Sequence, residues 1–349
     1  MKGGNMRVVL MVTLALFILM LSTIGKSIPQ TQEWPKSMTI LDGRSATSVY
    51  ALATGIADLF FKNIGIKTVP EAGTMGRNAI FVHKKEAEFA LVNNERAYFA
   101  ARGLEEYKSY GKMNIRLLFS SSVSAPMFFV TRRDAAIISV PDLKGKKVMC
   151  LYPGNPAFTK GADFHFEAVG MNRADVQAIS FSGHEEGDMA LKERRISAYI
   201  HPMTVTSLIP FVQQLNLEMP IRLVGAPLNK LDATLPKYPY FRKDVIPAKV
   251  YGDITDNKDL VGIGPAEIFI SQGGLSEDLI YRVMKAIFEH LPELYQYTPI
   301  ARVWTSDPLA SAVLPYHLGA IKYYKEKKLW TEDLEKKQKQ LLAEVGVSK

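Results

Sequence analysis

Cysteine is almost missing: Cys150 is the only one in 349 residues. One thiol closes no internal disulfide and builds no zinc site, and no cysteine follows the N-terminal apolar segment to carry a lipid. The histidines, His83, His165, His184, His201, His290 and His317, form no HExxH or other metal-spaced pair. No Walker loop, GxSxG elbow or GxGxxG fingerprint is present, and Gly73-x-x-Gly76 is too short for any of them. Ser120-Ser121-Ser122 has no base placed beside it. These absences point away from a metal centre, a cofactor and catalysis. Basic residues exceed acidic ones by 8, but they sit in short groups at 132–133, 144–147, 192–195, 325–328 and 336–339. No aromatics interleave with them at a nucleic-acid motif spacing, so they read as solvated faces and no nucleic-acid partner is expected. The basic balance favours an anionic ligand or an anionic membrane surface. Solenoid repeats and low-complexity tracts are also missing.

One long hydrophobic run is there. Lys2 and Arg7 precede the apolar segment Val8 to Leu21, and the small residues Ser22, Thr23 and Gly25 follow. A charged start, an apolar stretch shorter than the roughly 20 residues that span a bilayer, and small residues at its end make a secretory signal over 1–27. An uncleaved anchor is the alternative. An exported chain without disulfides must rest on a conventional core, and 349 residues are enough for two α/β domains. Cys150, in the apolar run Lys147 to Leu151, reads as a small buried hydrophobe.

The chain is organised around Thr39 to Phe61. A short strand, Thr39 to Leu41, runs into the polar loop Asp42-Gly43-Arg44-Ser45-Ala46-Thr47-Ser48. A helix follows, with Val49, Leu52, Ala53, Ile56, Leu59 and Phe60 three or four apart. Thr47 or Ser48 is a good N-cap, and the free N–H groups behind it suit a carboxylate or phosphate. The device recurs at Gly73–Asn78, after a strand at Ile66 to Val69, and at Asn93-Asn94-Glu95, after a strand at Phe89 to Val92. Three polar loops at strand-to-helix switches would line one edge of a parallel sheet, where open α/β sheets bind small molecules. Arg44 and Arg77 are either surface arginines or bidentate carboxylate partners. Tyr50 either packs or presents its hydroxyl to a ligand. Further on, Ser120 to Pro126 reads as a fourth polar loop, and composition shifts near residue 133. A second α/β unit carries the loop Tyr152 to Pro156, and His201 follows a strand with Thr204 beyond it. Val261 to Ser271 reads as a strand returning to the first unit.

At its C-terminal third the chain resembles the TAXI solute-binding proteins, the extracytoplasmic receptors of TRAP transporters. Ile246-Pro247-Ala248-Lys249-Val250-Tyr251, Val261-Gly262-Ile263, Leu275-Ser276-Glu277-Asp278-Leu279-Ile280-Tyr281 and His317-Leu318-Gly319-Ala320 carry the likeness, which extends over most of 38–330. Leu143-Lys144-Gly145-Lys146-Lys147-Val148 is shared with many binding proteins. The resemblance implies an α/β, two-lobed, periplasmic-binding-protein-like fold of type II, with the ligand cleft between lobes. The first lobe is 28–133 plus 259–349, and the second is 134–258. It implies a non-catalytic periplasmic or extracytoplasmic receptor that captures a small organic anion, such as a dicarboxylate, a keto acid or glutamate, for TRAP membrane subunits. The alternative is a sensor that signals to a membrane receptor. The family's Gly-Thr-Tyr position reads Ser48-Val49-Tyr50 here, its Gln-Ser-Asp position Asn93-Asn94-Glu95, and its Gly-Ser-Gly position Gly154-Asn155-Pro156. The expected ligand-binding residues are Arg44, Ser45, Thr47, Tyr50, Thr74, Arg77, Asn78, Asn93, Asn94, Asn155 and His201.

Overall fold

The computed structural model describes residues 34–43, 45, 47–74, 76–308 and 312–346. The expected signal, 1–27, and Arg44 lie outside them.

The chain opens with three strand-to-helix units. In strand β1, Ser37–Asp42, the side chains of Met38, Ile40 and Leu41 are buried. Helix α1, Ser48–Ile64, begins where the Thr47 hydroxyl accepts from the Tyr50 N–H, and it ends at Gly65 in the left-handed region. Its buried face, Leu52, Ala53, Ile56, Leu59 and Phe60, follows the spacing read from the sequence. Strand β2 (Lys67–Ala72), helix α2 (Asn78–His83), strand β3 (Phe89–Asn93) and helix α3 (Asn94–Arg102) form the other two units. The later strands are β4 (Ile115–Ser124), β5 (Met127–Arg132), β6 (Lys147–Leu151), β7 (Gln177–Ser180), β8 (Ala198–Pro202), β9 (Ile221–Val224), β10 (Arg242–Ile246), β11 (Leu260–Gly264), β12 (Ala266–Gln272) and β13 (Trp304–Thr305). The later helices are α4 (Pro156–Ala168), α5 (His184–Lys192), α6 (Pro210–Glu218), α7 (Leu228–Thr234), α8 (Ala248–Tyr251), α9 (Glu277–Phe288), α10 (Leu318–Glu326) and α11 (Glu332–Val345).

The strands build two sheets. One has the order β13-β4-β12-β3-β1-β2; the other runs β10-β11-β5-β8-β6-β7, with β9 also paired to β5. In the first, β1 pairs in parallel with β2 and β3, while β12 runs antiparallel to β3 and β4. In the second, β6 pairs in parallel with β7 and β8. Each sheet therefore has one edge where parallel strands end and loops enter helices.

The sheets exchange chain at two adjacent points, Ser124–Met127 and Gly264–Ala266. Ala125 donates its N–H to the Pro265 carbonyl across the gap at 2.9 Å. A Cβ at Gly264 would lie 1.8 Å from the Ala125 oxygen, so only glycine lets the strands pass here. Strands β5 and β11, which sequence boundaries at 133 and 259 leave with the first lobe, pair in the second sheet. Both lie in apolar runs, and an apolar run does not say which sheet it joins. Val261 to Ser271 is accordingly two strands broken at Pro265, not one. Ser120 to Ser124, expected as part of a loop, continues β4; its backbone pairs along an irregular ladder with β12, and the Ser122 hydroxyl donates to the Val303 carbonyl.

Aromatic rings tie the first core together. Phe60 of α1 meets Phe89 at 5.6 Å, Phe89 stacks on Phe269 at 5.5 Å, and Phe119 meets Phe269 at 5.0 Å. All four are buried, and each contributes roughly 1.5–3 kcal/mol by burial. The second core holds Phe128, Phe129, Phe166 and His165. His165 is a satisfied core histidine: Nε2 donates to the Met127 carbonyl at 2.9 Å, and Nδ1 accepts from the Ala226 N–H at 3.1 Å. Burial lowers its pKa to about 4, so it stays neutral. Cys150 is buried as a free thiol, and burial pushes it up to about 12.

Candidate functional site

The parallel ends of β1 and β3 bring Asp42 and Asn93 to one edge, and the antiparallel start of β12 adds Glu267 directly opposite Asn93. Asp42 is fully buried. Burial pushes its carboxyl up to about 6, against a backbone N–H from Gly43 that holds it down. Oδ2 has no partner. Glu267 is half-buried; desolvation, with the charge of Asp42 added, pushes its carboxyl up to about 7. Glu95 in the first turn of α3 is 1% exposed, and neither carboxyl oxygen has a partner. Burial pushes it up to about 7, offset in part by Arg96 and Lys160. Asp42 Oδ2 and both Glu95 oxygens are open acceptors taken out of water, an arrangement that costs free energy until something donates to them.

Arg96 sits beside Glu95, 5% exposed. It pairs with Glu106 at 3.2 Å and reaches across to the second sheet, where Nη2 lies 3.4 Å from both the Gly154 carbonyl and Asn155 Oδ1. Lys160 of α4 crosses the other way to Glu105 at 3.1 Å. Tyr240 packs on Tyr98 and Phe99 of α3 at 5.4 and 5.0 Å, and its hydroxyl is pushed upward by burial and then by Glu95. The edge thus holds the acids Asp42, Glu95, Glu105, Glu106 and Glu267 against the cations Arg96 and Lys160. Among the described residues no three His, Cys, Asp or Glu side chains converge as a metal-holding group.

The facing edge of the second sheet is aromatic. Tyr152 meets Phe158 at 4.9 Å and Phe181 at 5.0 Å. His201 ends β8 between Phe158, His184 and Phe211, with centroids at 5.8, 5.7 and 4.9 Å. Desolvation lowers His201 to about 4. Its Nδ1 faces the Pro202 carbonyl at 2.6 Å, and since a carbonyl only accepts, that nitrogen carries the proton. Tyr152, Pro153, Gly154, Ser180, Phe181 and Ser182 line a hollow of about 370 Å³ beside this cluster.

The residues expected from the sequence divide by position. Asn78 is fully buried; its amide donates to the Asp42 carbonyl at 3.1 Å and the Leu91 carbonyl at 3.2 Å, lacing β1 to β3, and Oδ1 is left without a partner. Asn94 is buried, with Oδ1 accepting from the Ala266 N–H at 3.1 Å, which fixes α3 to β12. Asn93 is half-buried at the edge itself. Asn155 caps α4 and meets Arg96. Ser45, Thr47, Thr74 and Arg77 are exposed on the surrounding loops. Arg77 stacks its guanidinium over Phe81 at 5.3 Å. Tyr50 donates to the Pro70 carbonyl at 3.2 Å, so its hydroxyl ties α1 to β2. Asp42, Glu95, Arg96, Glu267, Lys160 and Tyr240 are additions. Two signals pointed to some of them: the charged pair Glu95-Arg96 two residues after the apolar strand Phe89 to Val92, and a lone charge, Glu267, in Val261 to Ser271.

Two sheets with facing loop edges and paired crossings define the two-lobed α/β architecture of periplasmic binding proteins, and no described helix is long and apolar enough to cross a membrane. The chain belongs to the NMT1-like family, whose model matches residues 40–327. Among solved structures it is similar to XAC2383 from Xanthomonas citri, solved bound to ATP, with a TM-score of 0.51 at 9% identity over 89% of this chain and 98% of that one. It is also similar to the periplasmic aliphatic sulphonate binding protein SsuA from Escherichia coli, with a TM-score of 0.46 at 10% identity, covering 87% and 92%. At 9% identity the likeness to XAC2383 speaks to the fold alone.

Proposed function

We propose that this chain is an extracytoplasmic solute-binding protein whose cleft closes over a small solute carrying a protonated amine, with an amino acid as the form that uses both faces of the site. The observation that carries this reading is the buried, unpartnered carboxyl oxygens of Asp42 and Glu95, with the half-buried Glu267 carboxyl beside Asp42. An ammonium group supplies the missing donors, and the aromatic edge around Tyr152 and His201 suits the solute's apolar body or a cation. The carboxylate of an amino acid would take Arg96 with the exposed hydroxyls of Ser45, Thr47 and Thr74. This narrows the organic anion read from the sequence to an anion that also carries a positive charge. A dicarboxylate would meet these acids, and among the described residues Arg77 is turned onto Phe81.

The lobes of this reading are the two sheets with their helices, hinged at Ala125-Pro126 and Gly264-Pro265. Arg96 is a latch between them. Export by the N-terminal segment, and delivery to the membrane subunits of a TRAP transporter, complete the proposal and rest on the TAXI resemblance. The test is a thermal-shift screen of amines, amino acids and dicarboxylates at pH 8. A ligand at 100 times its dissociation constant adds about 2.7 kcal/mol. Stabilisation by amines or amino acids supports the reading; stabilisation by dicarboxylates alone refutes the ligand class.

A further inference from the structure

The opposite edge of the first sheet, away from the cleft, holds a cavity of about 690 Å³ between the start of β4, the end of β12, α10 and α11. Its apolar wall includes Leu275, Leu318, Ile321 and Leu342. Arg116 is in the wall and only 8% exposed. Its guanidinium makes one hydrogen bond, from Nη1 to the carbonyl of its own neighbour Ile115 at 3.0 Å. Burial lowers its pKa, with no acid opposing that effect. Asn114, also in the wall, has Oδ1 buried without a partner, and so does the Ser271 hydroxyl across the ladder from Arg116.

Every other charged or ring-nitrogen group of this wall is engaged. Glu277 pairs with Lys322 at 3.9 Å and Lys325 with Glu335 at 3.4 Å. His317 donates through Nε2 to the Leu275 carbonyl and accepts the Gly319 N–H at Nδ1, which caps α10. Gln338 bonds both the N–H and the carbonyl of Tyr316. A buried guanidinium cannot shed its proton, and an unpaired buried charge is strongly unfavourable. The open positive charge beside an apolar wall is complementary to an anionic head with a hydrocarbon body.

We propose that this cavity is a second ligand site, separate from the cleft, for a small free carboxylate with an apolar tail. The carboxylate lies on Arg116 beside Asn114, and the tail runs along Leu275, Leu318, Ile321 and Leu342. The proposal does not depend on what the cleft binds.

The test is calorimetric titration of the full-length protein with octanoate, with 1-octanol and phosphatidylglycerol vesicles as comparison probes. Octanoate binds and 1-octanol does not. Arg116→Met keeps the fold and loses octanoate affinity roughly tenfold or more, the scale of a charge-assisted pair. Leu318→Trp, at an exposed position, crowds the cavity without touching the core and weakens octanoate as well. Glu95→Gln leaves octanoate binding unchanged. Absence of octanoate binding, equal affinity in Arg116→Met, or loss of octanoate binding in Glu95→Gln overturns the proposal. Binding to vesicles without binding of free octanoate also overturns it, because the apolar patch is then a lipid-facing surface.

Discussion

Glu95→Gln separates stability from binding. In the folded chain burial raises the Glu95 pKa from 4.5 to about 7. Below about pH 4.5 the group is protonated in both states and costs nothing. Between about 4.5 and 7 the unfolded chain releases its proton while the folded chain keeps it, so stability falls as pH rises. Above 7 the loss is complete. At 1.36 kcal/mol per unit the loss is on the order of 3 kcal/mol, of which solvent entering the cleft returns a part. Glutamine fills the same volume without a charge. The variant is therefore more stable than the wild type at pH 8 by on the order of 1–3 kcal/mol, a rise in Tm of several degrees. At pH 4 the two should match. The same substitution removes the negative charge and one of the two acceptor oxygens that would meet an ammonium group, so amine binding weakens at least tenfold. The assay is urea unfolding at a series of pH values, with amine titration at pH 8. Parallel stability curves across pH 4–8, or a variant less stable at pH 8, would refute the buried-carboxylate account.

Three further perturbations follow from the packing. Asn78→Ala removes two buried donors and leaves the Asp42 and Leu91 carbonyls short of partners; it should cost roughly 2–5 kcal/mol in urea unfolding, with both strands frayed in hydrogen exchange. Gly319→Ala puts a Cβ 2.3 Å from the Glu277 carbonyl where α9 and α10 start side by side, and should cost roughly 1–3 kcal/mol while leaving cleft binding intact by titration. Arg96→Ala cuts the latch to Gly154 and Asn155; small-angle scattering should show a larger radius of gyration with ligand present, and affinity should fall more than tenfold.

Local rules carried much of the first sheet. Helix α1 was legible because its cap, its apolar spacing and its terminal glycine agree. Helix α9 was legible for the same reason, with Ser276 accepting from the Leu279 N–H. Strands β5 and β11 were legible as strands but not as members of the second sheet, because pairing is set by contacts remote in sequence. Ser120 to Ser124 looked like a loop because hydroxyls are common in loops; here the ladder to β12 decides. At the site, polar loops at the sheet edge were readable from spacing, but the direction of each side chain was not. Tyr50 and Asn94 turn inward to backbone partners, whereas Glu95 and Asp42 carry open acceptors. Arginines drew the eye to an anion; the buried carboxyls of Asp42 and Glu95, among the described residues, show only in the folded chain.

The most direct test is titration of the protein with a panel of amino acids and simple amines at pH 6 and pH 8. With Glu95 and Glu267 near 7, each is roughly one-tenth ionised at pH 6 and nine-tenths at pH 8. An ammonium-bearing solute should therefore bind at least several-fold more tightly at pH 8, with protons released on binding at pH 6. Tighter binding at pH 6, or binding confined to dicarboxylates at both pH values, would contradict a cleft built to receive a positive charge.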